Sequence, residues 1–583
     1  MAGADCFAVS NEAVRPESTL KAGRSAVGVD RQAIGFFSSR FYRSVALVLF
    51  LIAFALRGMY ALRMAFNSDE PQHAHVIWMA RSGLVQYRDF SDNHAPLFHL
   101  MWEPIARLLP PTWVSTIVLR LTMLPIYLAS LGCTYLIARA LLGRRIAMWT
   151  AALLALWPSY YELTLEFRPD QLWALFWLAA VAATLQRDLS SRRAGWIGFC
   201  LGCATAVSLK TLPLLVCLAI AAVVTRVIFR RRFLVSRPAC IGTMIGFLLA
   251  PMGVALYFWR QKALSDLYAS VIGLNLSTGM AYRQNASLKL LVFLVVVIVV
   301  TALVRVAFLR PQPTAMSCRR TFVIVLAVLS AVMFRFVWPD FTLQDSLPIT
   351  PLIAISLMTC VVAAMKRLPQ LGAILLTERT GVVAMVGLLI VLFVRAPYHD
   401  DMLPYHVAID QVNELLKPGE PVVDLKGEFV FYPRAIRPVY ETLSRHTLRK
   451  DPGADNGPEQ IIAAGARLAP RSVPNFPART RQFLQDNFVP VNAVAVAGKW
   501  LKPSGDGHEY RFHIELADSY HVVSHGGPIG GFLDGKPVAW PCFIGVGDHV
   551  FVPDAAFEPP LVLIWRRALE NNCAIAWERE VRP

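Results

Sequence analysis

Long apolar stretches separated by short polar connections dominate the first 396 residues of the chain. A stretch of about 18 or more mostly apolar residues is long enough to cross a bilayer as a helix. Apolar stretches with flanking charges predict about eleven spans, at residues 44–65, 113–142, 146–163, 170–186, 194–211, 212–229, 239–259, 287–308, 321–337, 348–365 and 380–396. The pattern predicts a polytopic α-helical membrane protein.

The pattern changes after Ala396, where short apolar runs alternate with polar and turn-forming residues. A helical segment at 406–427 opens this region, and 452–477 is typical of a loop. Short β-rich runs are predicted at 429–432, 491–496, 510–515, 520–524 and 562–565. Residues 397–583 are therefore expected to form a separate α+β or β-sandwich domain of about 185 residues, a normal domain size.

The chain carries a formal net charge of +17. Such a charge can indicate nucleic-acid binding, but here the arginines and lysines cluster at alternate connections between the apolar stretches. The clusters are Arg144–Arg145, Arg192–Arg193, Arg230–Arg232, Arg319–Arg320 and Lys366–Arg367. This distribution is the positive-inside pattern of a membrane protein, and it argues against a nucleic-acid partner.

The same pattern predicts the orientation of the chain. Residues 1–43, polar and without the apolar core of a signal peptide, are expected to form a disordered cytoplasmic tail. The predicted outer features are the loop 66–112, the link 162–170, the loop 260–286, the link 338–348 and the whole domain after 396. The chain is thus expected to be a multi-pass protein of a bacterial inner membrane, with a periplasmic C-terminal domain.

Two adjacent acids, Asp69 and Glu70, follow the first apolar stretch directly. A carboxylate at this height can reach the headgroup of a lipid substrate and can act as a general base on a nearby acceptor. It can also stabilise the positive charge that a sugar develops during glycosyl transfer. The alternative is that one of the two acids only caps a helix that begins near Pro71.

Charged residues occur at two further places near the predicted outer boundary of the membrane. Arg168 and Asp170 follow Glu166 between two spans, and Lys210 interrupts an apolar stretch. Arginine binds phosphate through two parallel hydrogen bonds, and lysine binds it as a point charge. The alternatives are an interfacial ion pair for Arg168 and a side chain that extends to the interface for Lys210.

Histidines and cysteines give no strong metal motif. His73 and His75 stand near several acids, so a divalent cation is a weak alternative, but solvated loop histidines are favoured because no spacing resembles HExxH or paired CxxC. No cofactor is predicted. Cys542 and Cys573 both stand in the soluble region, where an extracytoplasmic location would permit a disulfide.

At these positions the sequence resembles the GT-C superfamily, in the branch of protein O-mannosyltransferases and lipid A aminoarabinose transferases. The resemblance covers about residues 1–400 and depends on the Asp69-Glu70 pair, the loop residues 87–97, Arg168-Pro169-Asp170, Lys210 and the segment 344–351. The aminoarabinose transferases have a lysine-proline-proline run where this chain has 93–96, which argues against that substrate. The tail also lacks the threefold β-trefoil repeat of many eukaryotic protein mannosyltransferases.

The resemblance implies a GT-C-like catalytic domain at 44–396 that transfers a sugar, with inversion, from a polyprenyl-phosphate donor to an extracytoplasmic glycolipid, polysaccharide or protein. It implies Asp69 as the catalytic acid or base, Glu70 as its alternative, and Asp170 as a second acid. Arg88, Arg168 and Lys210 would hold the phosphate. The full set of implied substrate-binding residues is Arg88, Asp89, Asp92, His94, Arg168, Lys210 and Gln344.

Two competing hypotheses come from other classes. One is a lipid or solute transporter or flippase with a periplasmic carbohydrate-binding domain, although no internal repeat supports it. The other is a sugar-binding or assembly protein that acts through its tail. The transferase hypothesis predicts that the membrane part keeps the chemistry when 397–583 are deleted.

Overall fold

The computed structural model describes residues 39–186, 190–229, 237–275, 293–298, 314–338, 341–440, 452–504 and 508–577. The first part of the chain is a bundle of helices. They are α1 (Ser39–Arg63), α2 (Asp69–Arg81), α3 (Leu97–Ala106), α4 (Trp113–Leu121), α5 (Met123–Leu142), α6 (Arg144–Ala155), α7 (Pro158–Leu163), α8 (Pro169–Thr184), α9 (Ser191–Val207), α10 (Thr211–Phe229), α11 (Arg237–Arg260), α12 (Leu264–Leu267), α13 (Ala315–Val332), α14 (Thr350–Met365), α15 (Pro369–Leu375) and α16 (Glu378–Val394).

Five helices of the described part are long and apolar enough to cross a membrane, and the bent pair α15 and α16 makes a sixth if it crosses as one span. The five are Arg40–Arg63, Trp113–Leu142, Thr211–Phe229, Arg237–Arg260 and Met316–Val337. Ten of the eleven predicted spans contain one of these sixteen helices, but several helices are shorter than predicted. The predicted span 146–163, for example, is divided into α6 and α7, because Pro158 cannot continue the hydrogen bonds of α6.

Two predictions fall mainly on residues outside the described ranges. The predicted tail 1–43 is described only from Ser39, where α1 begins. The predicted span 287–308 is described only at 293–298, which are helical. Both remain predictions.

Helices α9 and α11 cross at close range because glycines line the contact. A Cβ atom built on Gly202 would lie 2.1 Å from the backbone oxygen of Phe247, and one on Gly246 would lie 2.0 Å from the oxygen of Gly195. Small residues allow helix backbones to approach in this way inside a membrane, where van der Waals packing drives association. The close approach of α9 and α11 therefore depends on glycines, which have no side chain, at the contact.

The predicted outer connections meet at one end of the bundle. The contacts are Arg168 with Asp69, Gln344 with Glu166, Asn275 with Asn93, and Arg395 with Glu162. At another place Glu378, the first residue of α16, pairs with Arg43 at 2.8 Å and with Arg145 at 3.4 Å. These three residues all lie at predicted inner ends of spans. Predicted inner ends therefore contact one another, and predicted outer connections contact one another, as expected for spans that alternate in direction.

After α16 the chain forms a unit of mixed helix and sheet. Its helices are α17 (Leu403–Leu415), α18 (Gly457–Ala464), α19 (Ala478–Asn487) and α20 (Arg566–Glu570). Its strands are β1 (Leu468–Pro470), β2 (Phe488–Val491), β3 (Val494–Leu501), β4 (Pro503–Ser504), β5 (Glu509–Ile514), β6 (Asp518–Ser524), β7 (Gly527–Pro528), β8 (Gly531–Leu533), β9 (Lys536–Pro537), β10 (Cys542–Ile544), β11 (Gly547–Pro553) and β12 (Leu561–Trp565).

The strands form two antiparallel sheets. One has the order β1-β3-β12-β6-β10, with β2 beside β3 and β7 beside β6, and the other has the order β4-β5-β11-β8-β9. Strand β12 lies between β3 and β6, and all five of its side chains are buried. Residues of both sheets, including Val496 and Phe551, belong to one apolar core. The predicted membrane bundle with a C-terminal sheet domain is confirmed.

Several local predictions for this domain are wrong. Residues 429–432 form turns rather than a strand, and the helix predicted at 406–427 ends at Leu415. The predicted loop 452–477 contains α18 and β1. Cys542 and Cys573 are separate thiols. The Cys573 thiol accepts a hydrogen bond from Gln411 at 3.5 Å instead of forming a disulfide.

The soluble unit rests on the first predicted outer loop. The ring of His406 stacks on Trp113, at the start of α4, with 3.9 Å between ring centroids. Phe431 packs edge-on against Trp78 of α2 at 4.6 Å. Buried residues of α2 and of the soluble unit belong to the same apolar core. This packing brings the segment around 424–432 to the residues that follow α1.

Candidate active site

Glu70 is buried and saturated with hydrogen bonds. Its carboxylate pairs at two points with Arg120 of α4, at 2.6 and 2.9 Å, and both side chains are at most 1% exposed. The backbone N–H groups of Phe167 and Asn67 donate to the same carboxylate at 2.8 and 3.0 Å. Arg120 also donates to the end of α1, at the carbonyls of Ala61, Met64 and Ala65. Glu70 therefore joins α1, α2, α4 and the link before α8.

Asp69, one residue earlier, has a different environment. A quarter of its side chain is exposed, and its carboxylate pairs with Arg168 at 2.6 Å and with Lys426 of the soluble unit. Burial opposes ionisation, but Arg168 and Lys426 outweigh it and lower the pKa of Asp69 to about 2. Asp69 is therefore an ionised carboxylate that faces an accessible space.

The same ion pairs continue on the other side of Arg168. Its Nε donates to Asp170 at 3.1 Å. Asp170 lies 3.6 Å from Nζ of Lys210, and Lys210 donates to Asp345 at 2.5 Å. The Asp345 carboxylate also accepts a hydrogen bond from the backbone N–H of Thr342, which fixes it at the start of a short helical turn.

These residues form one alternating series, which we call the charge chain. Its members are, in order of contact, Lys426, Asp69, Arg168, Asp170, Lys210 and Asp345. Three cations and three carboxylates balance one another, although they come from distant parts of the sequence. When all six groups are ionised, the charge chain carries no net charge.

Glu166 lies beside the charge chain. Gln344 donates to its carboxyl oxygens at 2.9 and 3.3 Å, and Arg168 lies 3.9 Å away. Burial, followed by the nearby carboxylate of Glu70, raises the pKa of Glu166 to about 8. This carboxyl group is therefore neutral at pH 7. Gln344, which the sequence predicts as substrate-binding, contacts Glu166.

Polar side chains of the first loop form a buried network next to Asp69. Asp92 accepts hydrogen bonds from Gln86 at 2.6 Å and from His94 at 2.9 Å. His99 contacts Gln86 through one ring nitrogen and His73 through the other, both at 3.0 Å. Burial opposes ionisation of Asp92, but His94, His99 and the hydrogen bond from Gln86 together outweigh it and lower the pKa of Asp92 to about 2. The network holds His94 near the charge chain.

Arg88 and Asp89 pair with each other rather than with the charge chain. Their side chains form two hydrogen bonds of 2.8 and 2.9 Å, and Arg88 also donates to the backbone oxygen of Gln261. Arg88 is largely exposed. Among the predicted phosphate ligands, Arg168 and Lys210 thus belong to the charge chain, while the contacts of Arg88 lie elsewhere.

His73 and His75, the two histidines considered as weak candidates for a metal site, contact different partners. His73 contacts His99, whereas Nδ1 of His75 lies 3.0 Å from the backbone oxygen of Val430 in the soluble unit. Across the ranges that the structure describes, no group of three or more His, Cys, Asp or Glu side chains is placed to hold a metal ion.

Sequence reasoning missed two members of the charge chain. Asp345 stands next to the predicted Gln344, and its position just before a predicted outer end of a span could have identified it. Lys426 lies in a region of ordinary composition inside the soluble domain, where nothing in the sequence separates it from Lys417. Because Lys426 contacts Asp69, the membrane part by itself lacks one member of the cluster.

The comparisons with known proteins concern the family and the fold of the chain. Residues 93–259 match the family described as dolichyl-phosphate-mannose-protein mannosyltransferase. The structure of ArnT from Cupriavidus metallidurans bound to undecaprenyl phosphate is similar, with a TM-score of 0.55 and 15% identity over 79% of this chain and 97% of that chain. The oligosaccharyltransferase of Archaeoglobus fulgidus in its apo form matches with a TM-score of 0.40 and 12% identity over 74% of this chain and 70% of that chain. Among curated protein sequences, none matches significantly.

The helical bundle, its C-terminal sheet domain and the family match define a multi-pass membrane glycosyltransferase. The family that residues 93–259 match is a GT-C glycosyltransferase family.

Proposed function

We propose that this chain transfers a sugar from a polyprenyl-phosphate donor to an acceptor at the outer face of a bacterial inner membrane. The observation that carries the proposal is the position of Asp69, an ionised and partly exposed carboxylate held between Arg168 and Lys426. The match of 93–259 to a family that uses dolichyl-phosphate mannose supports a lipid-phosphate donor. So does the fold similarity to an ArnT that binds undecaprenyl phosphate.

In the proposed reaction Asp69 is the general base. It removes the proton from the nucleophilic atom of the acceptor as that atom attacks the anomeric carbon, and the anomeric configuration inverts. The bond between the anomeric carbon and the phosphate oxygen breaks, and its electron pair stays on the phosphate. Negative charge thus leaves Asp69 and develops on the leaving group.

The basic members of the charge chain stabilise that leaving group. A preorganised cation aimed at the developing charge favours the transition state over the ground state. Arg168 and Lys210 are the candidates from the membrane part, separated by Asp170. Asp170 keeps the two cations in place, and we assign Glu70 a structural role because Arg120 occupies its carboxylate.

The domain arrangement follows from this proposal. Residues 44–396 carry the base Asp69 and the candidate phosphate ligands, the N terminus is cytoplasmic, and 397–583 form a periplasmic domain that adds Lys426 to the same site. The acceptor class is a glycolipid, a polysaccharide or a protein.

A transfer assay tests the proposal. Membranes that contain the wild-type protein are supplied with a radiolabelled polyprenyl-phosphate sugar, and label is followed into lipid, glycan and protein fractions. Comparative mass spectrometry of cell envelopes with and without the protein selects the sugar. Transfer is expected for the wild type, with a loss on the order of 10²-fold or more for Asp69→Asn.

The matched control is Asp410→Asn, because Asp410 is an exposed aspartate of α17. Full transfer by Asp69→Asn protein that is inserted and folded like the wild type would exclude Asp69 as the base. Movement of lipid across the bilayer without transfer of sugar would exclude the proposed reaction itself.

A further inference from the structure

The turn that carries Lys426 is held rigid by its own side chains. Asp424 is fully buried and accepts hydrogen bonds from the backbone N–H groups of Gly427 and Phe429, at 3.0 and 3.2 Å. Glu428 accepts two more backbone hydrogen bonds, both of 3.0 Å. These hydrogen bonds within the turn hold the Lys426 backbone in place.

The same turn is seated directly on α2. Gly427 has a φ of 107°, and a Cβ atom at this position would lie 2.6 Å from Cβ of His75. The imidazole of His75 in turn contacts the backbone oxygen of Val430 at 3.0 Å. Only glycine satisfies both the conformation and the contact, so the fit of the turn against the helix that begins at Asp69 is specific.

Lys426 extends from this turn into the charge chain. Its ammonium group contacts the carboxylate of Asp69 and donates to Ser68 at 3.0 Å, and only 12% of its side chain is exposed. Asp69 therefore has two cations, one from the membrane part and one from the soluble part. Lys426 is the terminal member of the charge chain, with one acidic partner, so it is the cation most easily transferred to another anion.

We propose that Lys426 moves its charge from Asp69 to the phosphate of the sugar donor, so that the soluble domain couples donor binding to activation of the base. This inference rests on the proposed function. The donor is a phosphate diester with one negative charge, and the leaving group is a monoester with more. The proton of the acceptor goes to Asp69 while the electron pair of the broken bond goes to the phosphate, so Lys426 follows the negative charge.

The movement of Lys426 would change the pKa of Asp69. The groups that face Asp69 are Arg168 from the link before α8, Lys426 from the soluble turn and His94 from the first loop, and all three lower its pKa. A carboxylate with a pKa of about 2 is a weak base. When Lys426 turns to the donor, the pKa of Asp69 rises, and the base becomes stronger only while a donor is bound.

Kinetics of the full-length protein in detergent test the inference. Lys426→Gln is compared with Lys426→Arg and with Lys417→Gln, a control on an exposed lysine of the same segment. For Lys426→Gln we expect kcat to fall on the order of 10²-fold and binding of undecaprenyl phosphate to weaken. The acid limb of the pH profile of kcat/KM should move upward by about one unit, because the free enzyme loses a cation beside Asp69.

Lys426→Arg should restore the position of the acid limb, and Lys417→Gln should match the wild type in every measurement. A merely structural role for Lys426 would lower activity without moving the acid limb, and that result would overturn the inference. Lys426→Met is a second charge-removing variant if the glutamine variant does not fold.

A wild type that binds no polyprenyl phosphate would overturn the proposed function together with this inference. A wild type that binds and transfers, with Lys426→Gln unchanged, would overturn the inference alone.

Discussion

Glu70 and Arg120 form a buried two-point ion pair, with oxygen–nitrogen distances of 2.6 and 2.9 Å, that holds α2 and α4 together. The adjacent acid, Asp69, is a quarter exposed and pairs with two cations, Arg168 and Lys426. Two neighbouring carboxylates thus have different environments, which the helix start at Asp69 explains. Successive residues on a helix point about 100° apart, so one side chain enters the bundle while the next remains at its surface.

Substitutions at this pair should lower stability and leave the chemistry intact. Glu70→Gln removes the charge from a buried carboxylate that neutralises Arg120, and we expect a loss of about 3–5 kcal/mol in the free energy of unfolding. Thermal unfolding in detergent measures this loss, and transfer per folded molecule should stay within a few-fold of the wild type. A Glu70→Gln protein with normal stability and no transfer would reverse the assignment of roles.

The raised pKa of Glu166 predicts how the free energy of unfolding changes with pH. Its pKa is raised to about 8 from an ordinary value of 4.5, so between these pH values the folded protein keeps a proton that the unfolded chain loses. The free energy of unfolding therefore falls as the pH rises through this window. Glu166→Gln cannot ionise, and it should be increasingly more stable than the wild type from pH 4.5 to pH 8, by about 1.4 kcal/mol for each unit of raised pKa.

The measurement for Glu166 is the melting temperature of both proteins across this range, with the exposed Glu414→Gln as the control. A difference that does not change with pH would show that Glu166 is ionised in the folded protein.

Lys210 and Asp345 should behave as a coupled pair. Each single substitution, Lys210→Met or Asp345→Asn, leaves a charge without its nearest partner, which lies 2.5 Å away in the wild type. We expect the double variant to be more stable than the sum of the two single losses predicts, with a coupling energy of about 0.5–3 kcal/mol. Transfer should not recover in the double variant, because the proposed phosphate ligand is gone. Strictly additive losses in unfolding experiments would contradict the pairing.

The glycine contact between α9 and α11 should tolerate no side chain. A Cβ atom at Gly202 would lie 2.1 Å from a backbone oxygen of α11, so Gly202→Ala must push the helices apart. Overpacking of this kind typically costs about 1–3 kcal/mol. Gly253→Ala, within α11 where no atom lies within 4 Å, is the control and should be neutral or slightly stabilising. Equal melting temperatures for the two variants would exclude the close crossing.

The sequence predicted the features that depend on local pattern. Apolar stretches and alternating arginine clusters predicted the helical bundle and the grouping of its connections, because membrane insertion acts on short segments and their flanks. Four members of the charge chain, including Asp69 and Arg168, were candidates because charges at the membrane boundary are expensive without a partner. The strands β5, β6 and β12 were predicted within a few residues from their apolar runs.

The remaining features depend on contacts between distant residues. Nothing in the run Asp69-Glu70 indicates which acid meets Arg120 and which meets Arg168, since the difference arises only when α4 and the link before α8 come together. The turn at 429–432 has the apolar composition of a strand but packs against α2 instead. Lys426 could not be found at all, because its role comes from the docking of one domain on another.

The contact between Asp69 and Lys426 joins positions 357 residues apart. Translation completes the acid early and the lysine late, so a membrane part that has already been inserted lacks this cation until most of the remaining chain has been translated and folded. A nascent or prematurely ended polypeptide would hold the other charges of the site without this last cation. The order of synthesis thereby makes the complete set of charges depend on a finished C-terminal domain, because an unfinished or misfolded one does not bring Lys426 to Asp69.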